Sequence, residues 1–425
     1  MRPYDEALDQ LLNDVGSIAD VSSTSSSGSD AEPNAVSVPL SDAVGRVLAD
    51  DICSPINVPP KDNSAMDGYA LRLNESNAQN QWSVVATRLA GDASELFVNP
   101  GEAVRIMTGA EVPDGADTVI MQEDVIRNED LIRLKSEQGV DDHKVKENIR
   151  PVGNDITEGR IIVARGTRID ASHLGLIASV GIDSVNVYRR PVVAVISTGD
   201  ELVEPGSPLP AGAIYNSNRY FLLPMLNKLG CDIIDYGTLK DDKEVFEKNF
   251  SEAAAKADFV ITTGGVSVGD ADFVKIVLDQ LGNIDFWKVA IKPGKPFACG
   301  RLSKTSDDAG YLLGLPGNPV SAIVTFMLLA RPAIEQFSGQ TPKPLSFLPG
   351  RVTENVRKRP GRMDFQRANY SMSGDGQIQV TPFNSQSSGV LSSIAECNCF
   401  MVLDREQGSL EAGAKVKILP FREWL

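Results

Sequence analysis

The chain has two histidines, His143 and His173, and five cysteines without a single Cys-x-x-Cys pair. Clustered thiolate and imidazole ligands for a soft metal are therefore scarce, and an odd thiol count gives no disulfide framework. Cys53, Cys231, Cys299, Cys397 and Cys399 read as buried, reduced thiols, which suits a reducing compartment. Cys397 and Cys399 share a face if their segment is a strand, so a zinc or redox role is the other reading there. His143 lies in a charged run and is expected at the surface; His173, near a helix start, is expected to be structural. Positive charge is also short: 41 Lys and Arg stand against 57 Asp and Glu, a net charge of -16. A duplex is a dense line of negative charge, so nonspecific nucleic-acid binding is excluded. An anionic substrate would instead need a locally basic pocket inside an acidic shell. No apolar run reaches membrane-spanning length, and Met1-Arg2-Pro3-Tyr4-Asp5-Glu6 lacks the charged-then-apolar order of a signal peptide. A cytoplasmic protein with neither nucleic-acid nor membrane partner is expected.

The rest of the composition is that of an ordinary globular protein, with 42% hydrophobic and 23% charged residues. Its length suits about three domains of roughly 150 residues. The expected architecture is multidomain α/β plus β. Residues 1–60 and 151–188 form a helical and extended N-terminal domain, with helices expected over 4–15, 36–48 and 171–180. Within it, 21–35 is a flexible linker whose core, 22–29, is almost entirely serine. Residues 61–150 read as mostly β, because short apolar runs alternate with Gly, Pro and Asp turns. Over 189–340, strands alternate with helices in the order of a doubly wound α/β domain. Residues 341–425 read as short strands and turns, a small β-barrel or sandwich.

In an open α/β sheet, ligands bind beyond the carboxyl ends of the strands. Two such ends carry polar turns, Ser197-Thr198-Gly199-Asp200-Glu201 and Thr263-Gly264-Gly265-Val266-Ser267. Gly264 and Gly265 let backbone amides approach an anion, and Thr263 and Ser267 add hydroxyl donors. The same turn serves equally well as plain structure, and it is no Walker loop, since no Gly-Lys-Ser/Thr follows. Downstream, Lys288 and Lys292 alternate with apolar residues, so one strand would put them on one face, with Lys295 after a Pro-Gly turn. Three ammonium groups so close together suit an anion; solvated surface lysines are the alternative. Pro316-Gly317-Asn318-Pro319 precedes an apolar helix, either presenting its first amides to a phosphate or simply capping it.

Taken together, Thr263–Gly269, Ile291–Pro296 and Leu315–Pro319 resemble the molybdopterin-binding domain shared by MoeA, gephyrin and the MoaB/MogA adenylyltransferases. Elements outside that domain point to one branch. Met66-Asp67-Gly68-Tyr69-Ala70, Arg105-Ile106-Met107-Thr108-Gly109-Ala110, Asn148-Ile149-Arg150 with Asp155, and Pro360-Gly361-Arg362 with Phe365-Gln366-Arg367 occur in the order found in the molybdopterin molybdenumtransferase family (MoeA and the E domain of gephyrin). The likeness runs from about residue 38 onward. The chain departs from it in the Ser-rich insertion at 21–29 and in Gln386-Ser387-Ser388-Gly389, a partial match.

The resemblance implies a molybdenum insertase that takes adenylylated molybdopterin and molybdate and yields molybdenum cofactor and AMP, with Mg²⁺ as cofactor. Lys292, Lys295, Arg362 and Ser388 would hold molybdate, since charge-assisted donors suit a tetrahedral oxyanion. Lys288, Gly264 and Gly265 would face the phosphates. Thr108, Arg150, Thr263, Ser267, Pro296, Pro316, Gly317, Asn318 and Pro319 complete the substrate-binding set. Asp67, Asp155, Glu201, Asp241 and Asp272 are the implied catalytic carboxylates. Asp241 and Asp272 would bind Mg²⁺ weakly, through water and substrate phosphate. Asp67 and Asp155 would come from the partner protomer of a homodimer, and the molybdopterin adenylyltransferase is a further expected partner. Two other functions are set against this one: an adenylyltransferase of the same domain type, which does not account for the flanking domains, and a receptor-clustering scaffold like the gephyrin E domain, which belongs to a larger chain.

Overall fold

The computed structural model of the protein describes residues 1–18, 34–73, 80–135, 142–240, 242–264, 282–302 and 310–422. Two compact units are present: residues 1–50, 166–169 and 186–425 form one, and residues 51–165 and 170–185 the other. The Ser-rich stretch 22–29 and the expected site residues Asp241, Gly265, Ser267 and Asp272 lie outside the described residues.

The larger unit is built around a six-stranded sheet in the order Asp232–Leu239, Val192–Thr198, Phe259–Thr263, Gly310–Leu315, Pro296–Leu302, Gly282–Lys288. The first four strands are parallel, and the last two join antiparallel. Side chains alternate across a strand, and here both sets are apolar. Val193 and Val195 pack with Leu222, Met225 and Leu226 of the helix Ser217–Lys228. Ala194 and Ile196 pack on the opposite face with Phe246, Phe250 and Ala253 of the helix Lys243–Lys256. Helices on both faces make the domain doubly wound, as expected. Each helix is started by a side chain: Asn216 accepts from the Arg219 amide, and Asp242 from the Val245 amide.

A longer helical run, Pro319–Phe337, passes through the core, and its most apolar window is 89% buried. It alone among the described residues has the length and composition of a membrane span. The sequence shows no uninterrupted apolar run there because Arg331 and Glu335 interrupt it. Burying a large apolar side chain such as Leu329, 0% exposed, stabilises by roughly 1.5–3 kcal/mol. The first helix, Tyr4–Asp14, places Ala7 and Leu11 in the same cluster.

Toward the C-terminus, Leu348–Val352, Met363–Met372, Ile378–Pro382, Cys399–Leu403 and Lys415–Pro420 close into a five-stranded barrel, because Met363–Met372 pairs with both Ile378–Pro382 and Cys399–Leu403. Closure removes the sheet edges, and Val352, Ala368, Val380, Met401 and Ile418 fill the interior. A two-residue strand, Ile291–Lys292, runs parallel to Met363–Asp364 and brings Lys292 against the barrel.

The smaller unit is mostly β. Its six-stranded sheet has the order Thr118–Met121, Gly68–Leu71, Glu102–Ile106, Gln81–Arg88, Leu131–Leu134, Val125–Asn128. Tyr69, Leu71, Trp82, Ala103, Ile120 and Ile132 form its core. The helix Ala171–Ser179 begins at a reciprocal cap between Asp170 and His173, so His173 is structural as expected.

Four local expectations are corrected. The helix over 36–48 is instead a strand, Ala35–Pro39, followed by one 3₁₀ turn at Leu40–Asp42. Val36 and Val38 favour extended backbone, and Pro39 offers no amide to continue a helix. The side chain of His143 is only 7% exposed, with Glu147 3.2 Å from its Nδ1, and does not lie out in solvent. Cys397 caps the helix Ser392–Glu396 while the strand begins at Cys399, so no strand face unites the two thiols. Both are buried free cysteines, as are Cys231 and Cys299, but Cys53, expected to be buried with them, is exposed.

Candidate functional site

The parallel strands of the α/β sheet bring two Thr-Gly segments side by side. Ser197 is in register with Thr263, and Thr263 with Leu315. The Thr263 hydroxyl donates to Ser197 Oγ at 3.3 Å, and the Gly264 amide to the Leu315 carbonyl at 3.2 Å. Gly264 has φ 87°, and a Cβ there would lie 2.6 Å from the Thr198 carbonyl oxygen. Only glycine fits so tight a left-handed turn. Across from it, a Cβ on Gly317 would stand 3.8 Å from the Gly264 Cα, so the two glycine turns face each other. Asn218, 8% exposed, donates from Nδ2 to the Gly317 carbonyl at 2.7 Å and holds the Pro316-Gly317-Asn318-Pro319 turn. Beside this cradle the buried Thr198 hydroxyl has no hydrogen-bond partner among the described residues, a demand that an anionic ligand or water would satisfy. Glu201 is exposed, and its carboxylate folds over Gly199.

The amide of Val320, in the first turn of the helix Pro319–Thr325, already donates to the Ser388 carbonyl at 3.1 Å. This places Ser388 at the helix start. Buried Arg367 fixes its loop by donating to the carbonyls of Ser385 at 3.1 Å and Ser387 at 2.8 Å.

A second element lies in the same unit. Lys292, Arg357, Lys358, Arg359, Pro360, Arg362, Asp364 and Ser409 line a cleft of about 840 Å³. Five cations face one carboxylate there, in a chain of net charge -16. Strand register sets Lys292 beside Asp364, with Nζ 3.2 Å from Oδ2. Gln366 Nε2 donates to the same oxygen at 3.0 Å. Lys358 is 7% exposed and donates to the carbonyls of Arg405 at 3.2 Å and Gln407 at 2.7 Å. Burial pulls its pKa below the usual lysine value, opposed first by the nearby Asp364 charge.

The expected shared face of Lys288 and Lys292 is not found. Lys288 ends the strand Gly282–Lys288, exposed and opposite Pro296, whereas Lys292 lies on a separate strand. Between them the Val289 amide bonds the Lys295 carbonyl at 2.8 Å and the Ala290 amide the Arg2 carbonyl at 2.7 Å, which breaks the strand. Lys295 is exposed.

In the smaller unit, Asp67 accepts from both the amide and the hydroxyl of Thr108, each at 2.7 Å. The amide first, then the hydroxyl, holds the Asp67 carboxyl below the usual carboxylate range. Arg150 is exposed on a two-residue strand in register with Asn63, and Asp155 is exposed with its amide bonded to the Val58 carbonyl at 2.9 Å.

Among the described residues no group of three or more His, Cys, Asp and Glu is placed to hold a metal. The described side-chain donors at the strand ends are nevertheless oxygens, among them the Glu201 carboxylate and the Thr198 hydroxyl. Such a set suits Mg²⁺, which keeps several waters and takes one or two carboxylates with substrate phosphate. Sequence reasoning gave Thr198 only as part of a polar turn and missed Asp364, Asn218, Arg357, Lys358 and Arg359. The run Arg357-Lys358-Arg359-Pro360-Gly361-Arg362 was a visible signal for the last three.

Known proteins match along almost the whole chain. Residues 2–181 match the MoeA N-terminal region (domains I and II), residues 194–336 the probable molybdopterin binding domain, and residues 349–421 the MoeA C-terminal region (domain IV). A molybdopterin molybdenumtransferase of Haemophilus influenzae is 47% identical over 388 residues, covering 91% of this chain and 94% of that protein. One from Staphylococcus aureus is 32% identical over 423 residues, covering 98% and 95%. The crystal structure of the molybdopterin biosynthesis moeA protein from Pyrococcus horikoshii OT3 superposes with a TM-score of 0.79 at 28% identity, covering 99% of this chain and 100% of that one. With its doubly wound domain, its closed C-terminal barrel and these matches, the chain belongs to the molybdopterin molybdenumtransferase (MoeA) family.

Proposed function

We propose that this transferase inserts molybdate into adenylylated molybdopterin and releases AMP. The observation that carries the proposal is the basic cleft at Lys292 and Arg362, a concentration of positive charge in an acidic chain. Lys292, Lys295 and Arg362, with Ser388, hold the tetrahedral oxyanion through charge-assisted bonds. Gly264 and Gly317, whose bare turns face each other, admit the phosphoanhydride, with Thr198 and Lys288 as further donors and Thr263 bracing the turn through Ser197. Pro296, Pro316, Asn318 and Pro319 shape the turns on which these donors sit. Asn218 keeps the second turn in place.

Mg²⁺, when bound, would neutralise charge on the phosphates. On the family resemblance Asp241 and Asp272 would hold it, and the exposed Glu201 carboxylate is a further oxygen donor at the strand ends. The chain acts as a homodimer in the cytoplasm, with Asp67 and Asp155 acting from the partner protomer, Thr108 orienting Asp67 and Arg150 binding substrate. Its pterin substrate is delivered by a molybdopterin adenylyltransferase.

The purified chain, given adenylylated molybdopterin, molybdate and Mg²⁺, is expected to release AMP and form active cofactor, and chelation by EDTA to stop both. Absence of AMP release and of active cofactor under these conditions rejects the proposal.

A further inference from the structure

The basic cleft carries more charge than the oxyanion contacts at Lys292 and Arg362 employ. Along 356–359 the chain alternates: Val356 and Lys358 are buried, Arg357 and Arg359 exposed. The two carbonyl bonds from Lys358 Nζ lock that alternation, so both arginines line the cleft on its solvent side. Neither guanidinium has a hydrogen bond or ion pair among the described residues. Carboxylates close by are committed elsewhere. Asp364 is held by Lys292 and Gln366, Glu406 pairs with Arg405 at 3.4 Å, and Asp404 with Lys417 at 3.1 Å.

A dianion approaching a protein of net charge -16 meets a repulsive net field, which a basic patch reverses locally. Two unpaired arginines at the mouth of the cleft locally reverse that field. Guanidinium groups are weakly hydrated and always charged, which suits them to attract an oxyanion. We propose that Arg357 and Arg359 form a collecting surface for the inorganic oxyanion, drawing a tetrahedral dianion into the cleft and passing it to Lys292 and Arg362. They set the oxyanion concentration at which the protein works and leave the chemical step alone. This inference rests on the reading that Lys292 and Arg362 hold the oxyanion.

The test uses the full-length Arg357→Gln/Arg359→Gln double variant with molybdate as probe, following turnover against molybdate concentration at low and high ionic strength. KM for molybdate is expected to rise about tenfold at low salt, with kcat retained. The difference from wild type should vanish near 1 M salt, where the Debye length is about 3 Å. Arg357→Lys/Arg359→Lys keeps the charge and should restore a near-normal KM, while Lys415→Gln, on an exposed barrel position, should leave it unchanged. An unchanged KM in the double Gln variant at low salt, a fall in kcat, or a raised KM in the double Lys variant overturns the collecting role. The underlying reading is judged separately by Lys292→Ala. If that variant keeps wild-type KM and kcat, the oxyanion assignment itself is wrong; if it loses turnover while the double Gln variant behaves as wild type, only the collecting surface is refuted.

Discussion

Gly264 and Gly317 face each other across the proposed phosphate cradle, yet alanine at the two positions should have opposite consequences. At Gly264 the backbone has φ 87°, which costs an L-residue roughly 1–2 kcal/mol. The new Cβ would also meet the Thr198 carbonyl oxygen at 2.6 Å and its Oγ1 at 3.1 Å, and a backbone atom cannot swing away. Gly264→Ala should therefore destabilise the α/β domain by about 2–4 kcal/mol, lowering Tm by roughly 5–10 °C. At Gly317 the φ is not left-handed, and the only close atom among the described residues is the Gly264 Cα at 3.8 Å, ordinary van der Waals contact. Gly317→Ala should leave Tm within about 2 °C of wild type, but its methyl occupies the space through which the phosphates approach. KM for adenylylated molybdopterin should rise. Differential scanning calorimetry and steady-state kinetics on the two variants measure both effects. A Gly264→Ala protein as stable as wild type would refute the close approach. A Gly317→Ala protein with unaltered kinetics would refute the use of this gap by substrate.

Other consequences are as definite. Lys292→Ala removes a charge-assisted donor and leaves the buried Asp364 with Gln366 as its one side-chain hydrogen-bond partner among the described residues, so insertion at subsaturating molybdate should fall about thirtyfold or more; a loss below threefold contradicts the assignment. Thr108→Val removes one of the two donors that depress the Asp67 pKa, so the midpoint followed by carboxyl ¹³C NMR should move up toward the ordinary carboxylate value. The sign follows from linkage: a depressed carboxyl contributes stability above its unfolded pKa and loses it as pH falls through the folded value. That acid loss should be smaller in the variant, and identical titrations would contradict the contact. Burial pushes the thiols of Cys231 and Cys399 up to about 12 and those of Cys299 and Cys397 also upward, whereas Cys53 is exposed. A thiol reagent at neutral pH should therefore label Cys53 alone in the folded chain and all five cysteines after denaturation; fast labelling of a second thiol would contradict the buried assignments.

The parts of the fold legible in the sequence were those with a strong local signal. The stretch 192–196 is apolar on both faces, as a strand between two helical layers requires. The parts that were not legible depend on distant partners. Nothing local shows that Val289 and Ala290 turn between Lys288 and Lys292; the amide of Ala290 is drawn off by Arg2, at the other end of the unit's sequence. Pro39 did mark the false helix over 36–48, but apolar spacing on either side of it imitates a helical face. At the site, Lys292 and Arg362 were recognisable from their Pro-Gly motifs. The role of Asp364 was not, because it exists only once a strand register joins positions 72 residues apart. A run such as Arg357-Lys358-Arg359 is ordinarily a solvated face. The cleft becomes visible only when closure of the barrel sets that run beside Lys292.

The most direct test of the account is where molybdenum binds. Crystals soaked in molybdate and measured at the molybdenum absorption edge should show an anomalous peak among Lys292, Lys295 and Arg362, within hydrogen-bonding distance of their side-chain nitrogens. No peak there, at a concentration that saturates turnover, or a peak only at a site away from this cleft would contradict the account.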